Sequence, residues 1–160
     1  MGAAYIGIVD QNDRRLELAQ RQPYIDQVFD ARSADLRGQI KAAEPEKFKV
    51  ILECTGTKSG VRSALNSVRN GGRVVTLGIH DDLQEIDLLK LLLKEIEIVP
   101  SAFFTPDEFT EVLELMATGA LCLGDGILDV RGLSEAQDSF EELFARGNYT
   151  QLKILMDPRA

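Results

Sequence analysis

Short apolar runs alternate with amphipathic segments along the whole chain. Predicted strands occupy residues 5–9, 27–30, 49–54, 73–78, 96–99 and 152–156. Between them, helical spacing of apolar residues predicts helices over 13–20, from Ser33 or Asp35 to about 44, 61–68, 88–93, 105–118 and 133–147. This alternation of strands and helices predicts an α/β fold with a largely parallel sheet.

Local signals set several of the expected boundaries. Asn70-Gly71-Gly72 is expected to end the third helix, because glycine readily adopts a positive φ. Thr105 precedes a proline and two acids, the pattern of a capped helix start, and Gly119 is expected to end that helix.

The first predicted strand ends in an acid, Asp10. In dinucleotide-binding folds an acid closes the second strand and accepts the ribose hydroxyls, about 20 residues after a G-x-G-x-x-G turn. Only nine residues precede Asp10, and they contain no such glycine pattern. The pattern therefore predicts a cofactor domain that lacks its first strand and glycine-rich turn.

Composition narrows the classes of partner. The 160 residues carry a net charge of −8, which argues against nucleic acid, and no apolar run is long enough to cross a membrane. Two cysteines lie far apart and no signal peptide is evident, so we expect a reducing, cytoplasmic location without disulfides.

Several motifs occur in an order typical of one enzyme family. They are VDQNDRRL (9–16), ILECTG (51–56), GGRVVTLG (71–78), LELM (113–116) followed by Gly119, LSEA (133–136) and KILMDP (153–158). In this order the chain resembles the medium-chain alcohol and polyol dehydrogenases of the zinc type, from about residue 2 to 158.

The resemblance implies that residues 1–160 form a single partial Rossmann-like domain, a parallel sheet with helices on both faces, similar to the C-terminal cofactor-binding domain of these enzymes. The N-terminal catalytic domain, with its zinc ligands and proton relay, is missing from the matched pattern. The chain is therefore expected to be truncated relative to the family and inactive by itself.

The resemblance also implies a cofactor, NAD, and a set of contacts to it. The expected contacts are Asp10, Arg15, Thr55, Gly56, Leu77, Gly78, Ile79, Ser101, Phe103 and Lys153. A carboxylate at Asp10 would accept both ribose hydroxyls of NAD and repel the 2′-phosphate of NADP. Because the pyrophosphate normally rests on the missing turn, weak or absent binding is expected.

No residue is assigned a catalytic role. His80, the only histidine, is expected in a solvent-facing loop, and Cys54 is expected to be an inert core thiol. Together with Cys122 they lack the close spacing of a zinc site, so no zinc is expected.

Two further expectations concern assembly. Residues 95–100 are expected to form an edge strand that pairs with its twin in a homodimer or higher oligomer. With the first strand missing, the strands of Tyr5 and Lys49 are expected to close up directly, in the order Val28, Ile8, Ile51, Val75, Ile98. A strand from another copy is the alternative.

Other functional classes stay open. One is a non-enzymatic oligomerisation or interaction module, and a related one is half of a split enzyme whose missing catalytic half is a second chain. A methyltransferase-like nucleotide fold also ends its second strand in an acid. The return from Leu133 to a closing strand favours the dehydrogenases.

Overall fold

A computed structural model describes residues 2–80, 82–124, 126–144 and 153–160. The described strands are β1 (Gly7–Asp10), β2 (Gln27–Asp30), β3 (Phe48–Glu53), β4 (Val68–Thr76), β5 (Glu97–Pro100), β6 (Leu128–Gly132) and β7 (Lys153–Asp157). The α-helices are α1 (Asp13–Gln20), α2 (Leu36–Ala43), α3 (Lys58–Ser67), α4 (Leu88–Lys94), α5 (Pro106–Ala117) and α6 (Ala136–Phe144). A short 3₁₀ turn, Leu133–Glu135, leads into α6.

The chain forms two compact units. The first comprises Met1–Leu36 and Thr110–Ala160, and the second comprises Arg37–Phe109. Every described strand pair is parallel, and helices connect most of the strands. The α/β fold class predicted from the sequence is thus confirmed.

In the first unit, β1 pairs with β2 and β6 pairs with β7. The α1 helix is capped by Asn12, whose side chain accepts a hydrogen bond from the Arg15 N–H at 3.1 Å. Leu18 of α1 and Phe29 of β2 are almost fully buried, so the strand–helix–strand segment has its own small apolar core.

The β6 strand is joined to α6 by a polar network. Arg131 contacts Asp129 at 2.7 Å and Glu142 at 2.8 Å, and it donates to the hydroxyl of the buried Ser139 at 3.1 Å. The β6 strand was not predicted from the sequence, because its two charged residues, Asp129 and Arg131, interrupt the apolar run. The Leu152 start and the Gly147 helix end predicted nearby lie outside the described residues.

In the second unit, β3, β4 and β5 form a three-stranded sheet in that order. The α3 helix begins at Thr57, whose hydroxyl accepts a hydrogen bond from the Gly60 N–H at 3.0 Å. The core of this unit lies where α3 meets the sheet, and its buried members are Val61, Ala64, Leu65, Val68, Val74 and Ile96.

The predicted helix end at Asn70-Gly71-Gly72 is wrong. The α3 helix ends at Ser67, and β4 already begins at Val68, opposite Phe48, with a register shift before Arg73 pairs with Val50. Gly71, at φ +64°, lies within this irregular stretch. The glycines therefore serve a bulged strand rather than a helix terminus.

The predicted closure into a five-stranded sheet is also wrong. Among the described strands, β1 pairs only with β2, and β3 pairs only with β4. In a doubly wound sheet the switch-point strand joins the two halves. Each of the two compact units keeps the parallel strand pairs that form within it.

No helix in the described ranges is long and apolar enough to cross a membrane.

Candidate functional site

In the first unit, two predicted ribose contacts lie side by side at the carboxyl end of β1. The Asp10 Oδ1 atom accepts a hydrogen bond from the Asn12 N–H at 2.8 Å and another from Arg15 Nη2 at 3.0 Å. Arg15 Nε is buried and has no hydrogen-bond partner in the described structure. A half-buried carboxylate and the exposed part of a guanidinium group are thus available to a polar ligand at this strand end.

A second ion-pair network, which was not predicted from the sequence, lies at the end of the neighbouring strand β2. Arg32 donates to Asp30, the last residue of β2, at 2.8 Å and also pairs with Asp13 at the start of α1. The hydrogen bonds from Arg32 lower the pKa of Asp30. The carboxylate at the end of β2 therefore stays ionised well into the acidic range.

In the second unit, the turns that follow β3 and β4 are in direct backbone contact. Gly56 has φ +65°, and a Cβ at this position would lie 2.0 Å from the Ile79 carbonyl oxygen. A Cβ at Gly78 would lie 2.2 Å from the Gly56 nitrogen. Only glycine fits either position, so the two turns form one compact edge at the carboxyl ends of the strands.

The buried acid Glu53 stabilises the turns that follow β3 and β4. Its side chain is 2% exposed, and its Oε1 atom accepts hydrogen bonds from the Thr55 N–H at 2.9 Å and hydroxyl at 2.5 Å. The Glu53 carbonyl oxygen accepts from the N–H groups of Leu77 at 2.8 Å and Gly78 at 3.0 Å. One residue thereby fixes the turns after both strands.

His80 lies against the same acid. Its Nε2 atom is 3.5 Å from Glu53 Oε2, its side chain is 22% exposed, and its Nδ1 atom is buried without a described partner. The expectation of a solvent-facing histidine is therefore wrong. The imidazole instead lies partly buried beside the Glu53 carboxylate.

Cys54 is exposed, so the expectation of a core position is wrong as well. Side chains alternate along a strand, and Glu53 is the residue that faces inward. Partial desolvation by the surrounding residues nevertheless raises the pKa of the Cys54 thiol, and the charge of Glu53 raises it further. The thiol therefore stays protonated and is a weak nucleophile.

The remaining predicted contacts occupy more open positions. Ser101 is connected to the same edge through its N–H, which donates to the Thr76 carbonyl at 3.0 Å. Ile79 is 90% exposed and Phe103 is 99% exposed. Lys153 lies in the first unit, at the exposed start of β7. The structure thus brings Thr55, Gly56 and residues 77–79 together in one unit, and Asp10 with Arg15 in the other.

Comparison with known families identifies the origin of this arrangement. Residues 1–118 match a family described as zinc-binding dehydrogenase. The chain belongs to the zinc-binding dehydrogenase family. The two glycine turns and the strand-end acid are therefore parts of a dehydrogenase-type domain.

Curated members of the family match over nearly the whole chain. An L-threonine 3-dehydrogenase from Rhizobium johnstonii is 33% identical over 98% of this chain and 44% of its own length. A sorbitol dehydrogenase from Macaca fascicularis is 22% identical over 99% of this chain and 44% of its own length. The chain thus spans less than half the length of these dehydrogenases.

Solved structures of dehydrogenases have the same fold. The 2R,3R-butanediol dehydrogenase from Bacillus subtilis superposes with a TM-score of 0.84 at 25% identity, covering 98% of this chain and 44% of that enzyme. A zinc-binding dehydrogenase from Sinorhizobium meliloti, bound to NADP, gives 0.82 at 25% identity, covering 98% and 46%. The Rossmann-like class expected from the sequence is confirmed.

The family name raises the question of a metal site. The described residues contain no group of three or more His, Cys, Asp or Glu side chains that could hold a metal ion. Cys54 and Cys122 are free thiols, and the closest partner of His80 is a carboxylate. The described residues therefore contain no set of donors of the kind that holds a zinc ion.

Proposed function

We propose that this chain is the dinucleotide-binding part of an NAD-dependent dehydrogenase that acts on alcohols or polyols. Its relatives are named for threonine, sorbitol and butanediol, three compounds that share a hydroxyl-bearing carbon. When bound, the nicotinamide of such a cofactor accepts a hydride. The residues of this chain bind and orient the cofactor in this proposal.

The pairing of Asp10 with Arg15 supports the proposal most directly. The half-buried Asp10 carboxylate is suited to accept the two ribose hydroxyls of NAD, and the partly exposed Arg15 guanidinium beside it can donate to the same ligand. The negative charge of Asp10 would repel the 2′-phosphate of NADP. We therefore propose a preference for NAD, although one structural relative binds NADP.

The proposed affinity is weak. The sequence contains no G-x-G-x-x-G turn, which in dinucleotide-binding domains receives the pyrophosphate at a helix N-terminus. The glycine turns at Gly56 and Gly78 and the strand start at Lys153 would contribute the remaining contacts. A ligand held mainly at its adenosine end exchanges rapidly with solvent.

We further propose that the purified chain does not oxidise alcohols. The described donors do not fit zinc, and no described side chain is assigned to proton removal from a substrate. NADH formation from simple alcohols or polyols, or one equivalent of zinc by metal analysis, would overturn this. If activity appears only when a second chain is added, the split-enzyme alternative is supported instead.

Titration calorimetry with NAD, NADP and ADP-ribose tests the cofactor assignment. We expect measurable binding of NAD and ADP-ribose, weaker binding of NADP, and loss of this preference in Asp10→Asn. Asp35→Asn, an exposed acid in the same unit, is the matched control and should bind as the wild type does. Equal binding of NAD and NADP by the wild type would contradict the proposal.

The β5 strand is an outer strand of its sheet. The side of β5 that faces away from β4 has no strand partner in the described structure, and Val99 is 36% exposed. We propose that two copies pair along this edge. Light scattering should show a dimer, and Val99→Lys should yield monomers because lysine on an edge strand disfavours pairing. A wild-type monomer at every concentration would contradict this.

An interaction module is the second candidate function. Four leucines of α4 are 63–74% exposed, an unusually apolar surface for one short helix: Leu88, Leu89, Leu92 and Leu93. If calorimetry detects no dinucleotide and light scattering shows assembly, this candidate replaces the cofactor proposal.

We also propose a reducing, cytoplasmic location, on the basis of two unpaired thiols, and fractionation of cells would test it.

A further inference from the structure

Three lysines converge near the C-terminal end of α3, at Asn66. Lys47 Nζ donates to the Asn66 carbonyl oxygen at 2.7 Å, and Lys90 Nζ donates to the Asn66 side-chain oxygen at 2.5 Å. Lys94 lies one helical turn after Lys90 on α4. All three lysines are half-buried. Together with Arg37, we call these residues the basic cluster.

The members of the basic cluster affect one another's ionisation. Burial lowers the pKa of Lys47, and the nearby positive charges of Lys94, Arg37 and Lys90 lower it further. Burial also lowers the pKa of Lys90, and the positive charges of Lys94 and Arg37 lower it further. The negative charge of Asp87 acts in the opposite direction. In a chain of net charge −8, this is a local surplus of positive charge.

A cavity of about 350 Å³ adjoins the cluster. It is lined by Pro45, Glu46, Lys47, Arg69 and Asn70. Arg69 Nε is buried and has no hydrogen-bond partner in the described structure. Lys47 itself has φ +67°, a backbone conformation that L side chains rarely adopt. An unsatisfied guanidinium N–H and a strained lysine thus lie in one concave region.

A purely structural role explains only part of this arrangement. A cation near a helix C-terminus stabilises the exposed carbonyls and the helix dipole, and Lys47 does this for α3. That role needs one positive charge. It does not account for two further half-buried lysines or for the unsatisfied Arg69.

We propose that this pocket binds a small anion that carries a phosphate group. Ammonium and guanidinium groups both form charge-assisted hydrogen bonds to phosphate oxygens, and a dianion would neutralise the crowded lysines. Glu46, the one acid lining the cavity, opposes an anion and limits how tightly it is held.

The pocket is separate from the proposed cofactor edge. Lys47 immediately precedes β3, and Arg69 and Asn70 lie in the first part of β4. The glycine turns follow the ends of the same two parallel strands. The two sites therefore lie at opposite ends of the same two strands. The anion site does not depend on the proposed function.

Calorimetric titration with inorganic phosphate, against chloride at matched ionic strength, tests the proposal. We expect wild-type binding that Lys47→Gln weakens by about tenfold, the effect of losing one charge-assisted hydrogen bond from the cavity lining. Glu46→Gln should strengthen binding. Lys49→Gln, an exposed lysine on β3, is the matched control and should leave binding unchanged. Asp10→Asn should also bind phosphate normally.

A methyl phosphate titration distinguishes the two sources of the group. Tighter binding of the ester than of inorganic phosphate identifies a phosphate monoester as the ligand class, and the reverse identifies free phosphate. No phosphate binding beyond the chloride control would overturn the proposal. Equal losses in Lys47→Gln and Lys49→Gln would overturn it too, because they would reduce the effect to net charge.

Discussion

The Glu53 carboxylate accepts hydrogen bonds from both the backbone N–H and the hydroxyl of Thr55, at 2.9 and 2.5 Å. An almost fully buried acid thus fixes the second residue beyond its own strand. The same carboxylate lies 3.5 Å from the His80 imidazole in the turn after β4. Glu53 is therefore the structural centre of the proposed cofactor edge.

Glu53→Gln should destabilise the protein by about 1–3 kcal/mol, the usual consequence of leaving buried polar groups poorly paired. The amide keeps one acceptor but presents an NH₂ group where the second carboxylate oxygen faces Gly56 N–H and His80. Urea unfolding followed by circular dichroism measures the change.

Glu97→Gln is the control for this variant. Glu97 pairs with Arg73 at 2.6 Å on the exposed part of the same sheet, so its loss should cost less than about 1 kcal/mol. Equal destabilisation by the two substitutions would show that Glu53 has no special role in this edge.

Much of the local structure was predictable from the sequence, because local interactions determine it. The sequence pattern predicts α1 and β2 with the observed bounds, since Asn12 caps the helix and β2 is a short apolar run between polar residues. The start of α5 was predictable for the same reason, because Thr105, proline and two acids form a self-contained signal.

The features that were not predicted from the sequence depend on contacts between residues that are distant along the chain. Glu53 and His80 are far apart in sequence, and neither residue type indicates that they meet across adjacent turns. The early start of β4 depends on pairing between Val68 and Phe48, which outweighed the helix-ending signal of Gly71. The basic cluster forms because α2, α4 and the loop before β3 bring their cations together, which no local motif records.

The start of α5 should depend on pH through Glu108. The Thr105 N–H and hydroxyl donate to its carboxylate, at 2.6 and 3.0 Å, and these hydrogen bonds lower the pKa of Glu108. A lowered folded-state pKa means that the contribution is fully present above the unfolded pKa. It is lost as the pH falls through the folded value.

Amide exchange in the first turn of α5 should therefore accelerate in acid, and the change should follow the titration of Glu108. In Glu108→Gln this acid-dependent step should disappear. Glu114→Gln, an exposed acid later in the same helix, should retain it. An unchanged profile in Glu108→Gln would exclude the cap as its cause.

Alkaline pH should stabilise the second unit through Lys47. Because its folded-state pKa is lowered, the protonated folded form is penalised, and the penalty disappears as the pH rises from the folded value towards the unfolded one, about 10.4. The difference in unfolding free energy between wild type and Lys94→Gln should shrink over that window. A constant difference would show that the lysines do not interact.

A pair of glycines with positive φ allows backbone strain and steric clash to be measured separately. Gly56 and Gly71 have nearly the same φ, +65° and +64°. A Cβ at Gly71 would meet nothing within 4 Å, whereas one at Gly56 would lie 2.0 Å from the Ile79 carbonyl oxygen. Gly71→Ala should thus cost only backbone strain, about 1–2 kcal/mol.

Gly56→Ala should cost clearly more than Gly71→Ala, because the added methyl group meets backbone rather than a flexible side chain. The turn after β3 can accept it only by moving away from the turn after β4. That movement stretches the hydrogen bonds that Leu77 and Gly78 donate to Glu53. Urea unfolding of the two variants gives the difference, and amide exchange at Leu77 reports the separation of the turns. Equal unfolding free energies with unchanged Leu77 exchange would mean that the two turns are not packed against each other in solution.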